Sequence, residues 1–191
     1  MDIIFIDVEA SAFDGFPIEV GWARVDLNDG WSTLVQPTAK WVQAYPWDKQ
    51  AELLHGLKWR KLMNQGLAPK EVAERLNADL TGAEVYSDAP DYDGKWLALL
   101  FAAAEIPQGF TVMDASTFIK QAAITKAAFP IGYGDAAWNL FLKAGGKEHR
   151  ALDDACLLAL HIQTIDMLTT DVPQDILIER TKTLIEANSR S

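Results

Sequence analysis

Near its start the chain carries the apolar stretch Ile3-Ile4-Phe5-Ile6, which runs into Asp7-Val8-Glu9, and these two acidic residues constrain the fold more than any other feature. A short apolar run of this kind reads as a β-strand, and residues two apart on a strand share a face, so the two carboxylates converge. Like charges that close are unfavourable unless a cation or a proton sits between them. A divalent ion such as Mg2+ or Mn2+ supplies that need. On the triplet alone the plainer alternative, in which Glu9 simply opens a loop, also stands.

After the turn-rich Asp14-Gly15-Phe16-Pro17, residues 18–25 read as a second strand, Asn28-Asp29-Gly30 as a tight turn, and residues 31–36 as a third strand of an antiparallel meander. Residues 46–80 turn helical, with Pro69 suited to a first-turn position. Residues 84–87 lean to a strand, the polar residues 88–94 lead into a helix over 95–104, and residues 110–113 suggest another strand. Helices follow over 116–128, 136–143 and 153–168, and residues 173–187 form an amphipathic helical tail. Gly132-Tyr133-Gly134 reads as a loop, because it lacks the lysine and the strand-loop-helix setting of a phosphate-binding loop. Strands first, then helices alternating with strands, imply an α/β fold with a mixed sheet and helices on its faces.

At 191 residues and 49% hydrophobic composition the chain suits one core. Its single cysteine, Cys156, permits no internal disulfide and no cysteine-based zinc site, and reads as a small buried residue. The first residues lack the basic leader of a signal peptide, and no apolar run approaches a membrane span, so a cytoplasmic protein without a membrane partner is expected. The formal net charge of −10 argues against a protein that coats a phosphate backbone by bulk charge. It leaves room for a nuclease whose carboxylates hold the cations that receive phosphate oxygens.

Two further segments carry chemistry. Asp88, Asp91 and Asp93 precede the helix over 95–104, where any of them could cap exposed N–H groups. Asp93 is the preferred ligand because Trp96 and Leu97, three and four residues on, would face the core and fix how the helix start points; Asp91 is the reserve, and Asp88 reads as a surface or substrate-side residue. In His149-Arg150-Ala151-Leu152-Asp153-Asp154 a histidine lies five residues before an aspartate at a helix start. There His149 suits a general base and Asp154 a metal ligand, while the plainer reading makes Asp153 a helix cap and His149 an exposed loop residue.

Asp7-x-Glu9, then Asp93 before a helix, then His149-x-Ala151-x-x-Asp154 resemble, in this order, the motifs of the DEDDh (DnaQ-like) exonucleases of the ribonuclease H-like superfamily. Pro17-Ile18-Glu19-Val20-Gly21 is similar to that family's second strand, His55-Gly56-Leu57 to its short His-Gly-Ile element, and Val112-Met113-Asp114-Ala115 to the strand after the second motif. The resemblance runs from residue 3 to about residue 165. It implies a ribonuclease H-like sheet and an exonuclease domain over 1–170; the amphipathic helix over 171–191 lies beyond the resemblance and could cover this domain's own core or a partner's, docking within the same domain being the more economical reading. It further implies two Mg2+ or Mn2+ ions held by Asp7, Glu9, Asp93 and Asp154 with Asp7 bridging, and His149 taking a proton from the attacking water, so that activity rises with pH. The implied activity is release of nucleoside 5′-monophosphates from the 3′ end of single-stranded nucleic acid, DNA or RNA, with oligomeric state left open. Substrate contacts are implied at Ala10, Ser11, Phe13 and His55, with Phe13 the apolar residue that stacks on the terminal base or, alternatively, a core residue. The chain departs from the family at Ala10-Ser11-Ala12, where many members carry Thr-Thr-Gly, and at Asp88-Ala89, where many carry His-Asn. A weakly active or inactive binding or proofreading subunit of the same fold is the competing reading, and the intact acidic set speaks against it.

Overall fold

In a computed structural model of the chain, which describes residues 2–126, 132–167 and 173–188, the sheet grows outward from the first strand. Strand β1 (Ile3–Ala10) pairs antiparallel with β2 (Pro17–Arg24), which pairs antiparallel with β3 (Gly30–Leu34). On its other side β1 pairs in parallel with β4 (Glu84–Ser87), and β4 with β5 (Val112–Asp114), giving the order β3-β2-β1-β4-β5. The expected mixed sheet, meander plus parallel strands, is present, and Glu9 lies within β1.

Nine helices are described: α1 (Ala39–Ala44), α2 (Lys49–His55), α3 (Trp59–Gln65), α4 (Pro69–Leu80), α5 (Pro90–Ala104), α6 (Ala115–Thr125), α7 (Tyr133–Lys143), α8 (Ala151–Met167) and α9 (Gln174–Asn188). The helical reading of residues 46–80 resolves into α2, α3 and α4, because Gly56 takes a left-handed conformation at φ 69° and Gly66 ends α3. Helix α1 was not expected; Thr38 starts it by accepting a hydrogen bond from the Trp41 N–H, and Trp41 is buried. Helix α5 begins five residues earlier than expected, at Pro90, since proline tolerates the first helical turn. Gly132 precedes α7 and Gly134 lies inside it, so this segment is a helix start and not a loop. The ends expected at Ala128 and Leu168 lie outside the described residues.

Alternation along β1 divides the interior in two. Ile4, Ile6 and Val8 point to one face, where they pack with β2 residues such as Ile18 and Val20 and with α4 and α5 through Leu76, Leu80, Leu97 and Leu100. Phe5 points to the other face and packs with α6, α7, α8 and α9 through Ile119, Phe141, Cys156, Leu160 and Leu177. Asp7 and Glu9 continue the row of Phe5, so they emerge where the cover given by α8 begins. Gly21 makes that close cover possible: a Cβ there would stand 2.3 Å from the Leu152 backbone nitrogen. Among the described residues no helix is long and apolar enough to cross a membrane.

Candidate active site

Strand β4 ends beside the middle of β1, just short of Asp7, and the helix starts of α5 and α8 meet the strands there, the position at which α/β sheets present ligand sites. Two groups of metal-competent side chains result. Glu9, His149 and Asp154 each offer a ligand atom within 4.8 Å of the others, and so do Asp7, Asp88 and Asp93. Three distant stretches of chain therefore bring together every residue singled out as catalytic. Asp88, read as a surface or substrate-side residue, is exposed and joins them, while Asp91 is exposed outside both groups. The reason is the early start of α5: with Pro90 at its first turn, Asp93 points inward and becomes buried while Asp91 turns to water.

Local contacts fix each ligand. The Ser87 hydroxyl donates to Asp93 Oδ2 in a very short hydrogen bond and itself accepts from the Ala89 N–H at 2.9 Å. His149 adopts the left-handed backbone at φ 59°, and its N–H donates to Asp154 Oδ2 at 2.8 Å. Asp153 is not a cap of α8 but accepts from the Lys147 N–H at 2.9 Å, closing the preceding loop. Asp7 Oδ2 is enclosed and has no hydrogen-bond partner among the described residues.

The electrostatics are those of carboxylates lacking a counter-charge. Burial pushes Asp7 well above the usual carboxylate range, and Asp93, Glu9, Asp154 and Asp88 add repulsion. Burial raises Glu9 to about 8, reinforced by Asp154, Glu19 and Asp93 and opposed by Arg150. Burial likewise raises Asp93 to about 7 against the Ser87 hydrogen bond, and Asp154 to about 7 against the His149 N–H. A donor set of carboxylate oxygens beside one imidazole, close like charges and an orphaned carboxylate oxygen are what hard divalent cations satisfy. The residues present fit Mg2+ or Mn2+.

A cavity of about 270 Å³ adjoins this acidic end, lined among others by Glu9, Ala10, Phe13, His55, Trp96 and His149. Phe13 is 78% exposed, which rules out the core alternative, and its ring centre lies 5.5 Å from that of Tyr92. Trp96 packs against the core as expected, is half-buried, and also forms part of the cavity wall. His55 is only 6% exposed; its Nδ1 accepts from the Leu57 N–H at 2.9 Å, which leaves the proton on Nε2, an atom with no partner among the described residues. Burial lowers the pKa of His55, favouring that neutral form. Ser11 does not reach the cavity: its hydroxyl donates to the Pro46 carbonyl at 2.8 Å and accepts from the Phe16 N–H at 3.0 Å, so it braces the β1–β2 turn. The place of Trp96 in the cavity wall and the contact of Tyr92 with Phe13 carry no signal in the sequence, because both depend on where α5 starts, which local composition does not announce.

Comparison with solved structures places the fold. No family model matches the sequence, and no curated protein matches it. Escherichia coli exonuclease I in complex with a dA16 oligonucleotide superposes with a TM-score of 0.58 at 15% identity over 88% of this chain. The zinc-bound form of the E. coli exonuclease I complex with single-stranded DNA gives 0.62 at 13% identity over 93%, and exonuclease I from Methylocaldum szegediense gives 0.60 at 15% over 93%. This chain spans less than half of each of those chains, 43%, 43% and 42%. The architecture is thus the ribonuclease H-like fold of these exonucleases.

Proposed function

We propose that the chain is a metal-dependent 3′–5′ exonuclease of the DEDDh kind that removes nucleoside 5′-monophosphates from single-stranded nucleic acid. The observation that carries this reading is the convergence of Asp7, Glu9, Asp93, Asp154 and His149 at one end of the sheet, beside a cavity with an exposed aromatic ring. Asp7, Asp93 and Asp88 would hold one divalent ion, and Glu9 and Asp154 a second. When bound, such ions neutralise charge on the scissile phosphate and favour hydroxide over water as nucleophile.

The chain's own residues do the rest. Phe13 offers a face on which any base can stack, so gripping is indifferent to sequence. The His55 Nε2–H donates to the terminal nucleotide, and Ala10 borders the same cavity without bulk that would exclude it. His149 takes the proton of the attacking water as its oxygen bonds to phosphorus and the bond to the 3′ oxygen of the preceding nucleotide breaks. That oxygen leaves with the shortened strand and takes up a proton from solvent, giving the 3′-hydroxyl that enters the next cycle. Residues 1–170 make the exonuclease domain and residues 171–191 complete it in this reading.

The test is digestion of matched 5′-labelled DNA and RNA oligomers with Mg2+, Mn2+ or chelator. A ladder shortened by single nucleotides, lost with chelator and in Asp7→Asn, is expected. Intact oligomers in both metals, with the protein folded and able to bind the strand, would favour the inactive binding subunit instead.

A further inference from the structure

Glu19 has an unusual position for a carboxylate. It lies within β2, is 2% exposed, and stands directly opposite Glu9 in the antiparallel register of β1 and β2. Two acidic residues facing each other across a ladder repel, and a buried carboxylate without a partner is costly. The partner is Arg150, whose Nη2 donates to Glu19 Oε1 at 2.6 Å and whose Nε donates to Oε2 at 3.0 Å, a forked pair. The Ala151 N–H, the first of α8, donates to the same Oε2 at 3.1 Å. Glu19 is therefore saturated by two consecutive residues at the start of α8.

Those two residues sit between the reacting groups. His149 immediately precedes Arg150 in the left-handed conformation at φ 59°. The Asp154 N–H donates to the Arg150 carbonyl at 2.9 Å, and the His149 N–H returns to the Asp154 carboxylate. Two residues along β2 from Glu19, on the same face, Gly21 provides the bare backbone on which Ala151 and Leu152 rest. Glu19 is buried while the Arg150 side chain is partly exposed, and such an ion pair adds little stability over apolar side chains of equal volume, so holding α8 down does not by itself call for one. Fixed direction does: a forked pair sets both the distance and the rotation of the turn.

We infer that Glu19 is a positioning residue: by locking Arg150 and the Ala151 N–H, it sets the turn that presents His149 and Asp154 to Glu9, and does so before any ion or substrate arrives. Arg150 has the second task of placing a positive charge beside two facing carboxylates. The predicted effect on rate rests on the exonuclease reading; the effect on the turn does not.

The experiment uses the full chain with Glu19→Gln, which keeps the shape and loses the charge, and Arg150→Lys, which keeps the charge and loses the fork. Hydrogen exchange of the His149 backbone amide is followed by NMR in chelator, with the Leu160 amide of α8 as internal control. The kcat and KM for the p-nitrophenyl ester of thymidine 5′-monophosphate are measured with Mn2+. The His149 amide should exchange at least about tenfold faster in both variants while Leu160 is unchanged, and kcat should fall about 10–100-fold with KM within about twofold, the scale of residues that support ligands from behind. Unchanged His149 exchange, or equal acceleration at His149 and Leu160, overturns the inference and leaves Glu19 a stabilising residue only. Should Glu19→Gln fail to fold, Arg150→Lys decides by the same comparison. An inactive wild-type protein would defeat the exonuclease reading while the amide data still judge the anchor.

Discussion

Asp7 combines an enclosed, unpartnered oxygen with repulsion from four other acidic residues, so its ionised form is costly in the metal-free protein. Asp7→Asn removes that charge and keeps the volume. In chelator at pH 8 the variant should melt higher than wild type, by about 2–4 °C for each kcal/mol of relieved repulsion in a chain of this size, while nuclease activity is lost. Calorimetry in chelator, paired with the oligomer assay, checks both halves; a lower melting temperature would show that Asp7 is satisfied in a way not visible in its contacts. Phe13, exposed to solvent at the cavity edge, belongs to the opposite category, since it contributes little to the core. Phe13→Ala is expected to leave the melting temperature within about 1 °C, as for other exposed substitutions. Its KM for an oligomer should rise about tenfold through lost stacking. What made the acidic residues visible in the sequence is short range: two residues on one strand, or five across a helix start. Glu19 and Arg150 are 131 residues apart, and such a pair leaves no periodic trace.

Helix starts decide the site at the next scale. The polar tract 88–94 suggests a junction, and composition alone could not place the first turn of α5 at Pro90; shifting that turn exchanges which of Asp91 and Asp93 faces inward. The strands were easier to read, because alternation about Asp7 and the Asn28-Asp29-Gly30 turn fix both pairing and direction, whereas α1 has only one buried residue, Trp41, and no period to detect. Gly21 shows the cost of moving an element. Its Cβ would meet backbone atoms of Ala151 and Leu152 at 2.3–2.7 Å, contacts that no side-chain rotation relieves. Gly21→Ala is expected to destabilise the fold by at least about 1–3 kcal/mol and to reduce kcat of the folded fraction, because α8 carries Asp154 with it. Denaturant unfolding and specific activity per folded molecule test this; full activity with reduced stability would mean that the start of α8 adapts independently of its ligands.

For the whole molecule, Asp7, Glu9, Asp93 and Asp154 all hold their protons more tightly when folded than carboxylates do in an unfolded chain. The folded state therefore binds more protons over the window from about pH 4, the ordinary carboxylate value, upward to about 8, and stability is lost as pH rises through it. Metal-free protein should accordingly melt lower at pH 8 than at pH 5. Mg2+ or Mn2+ should raise the melting temperature more at pH 8, where competing protons are absent; at about 100 times its dissociation constant an ion adds close to 3 kcal/mol. A metal-induced shift that is equal at both pH values, or absent, would count against a shared cation site at these residues.

The cavity has two kinds of wall. One side is made from β1, α5 and the turn that leads into α8, tied to the sheet and both interior clusters, while its opposite side comes from the β1–β2 turn and the short α2. Replacements in the second group, at Gln50, Ala51 or Leu54, can reshape what is gripped without displacing a single carboxylate. Preference for one strand chemistry over another can thus diversify among descendants of this chain while the hydrolytic apparatus stays put.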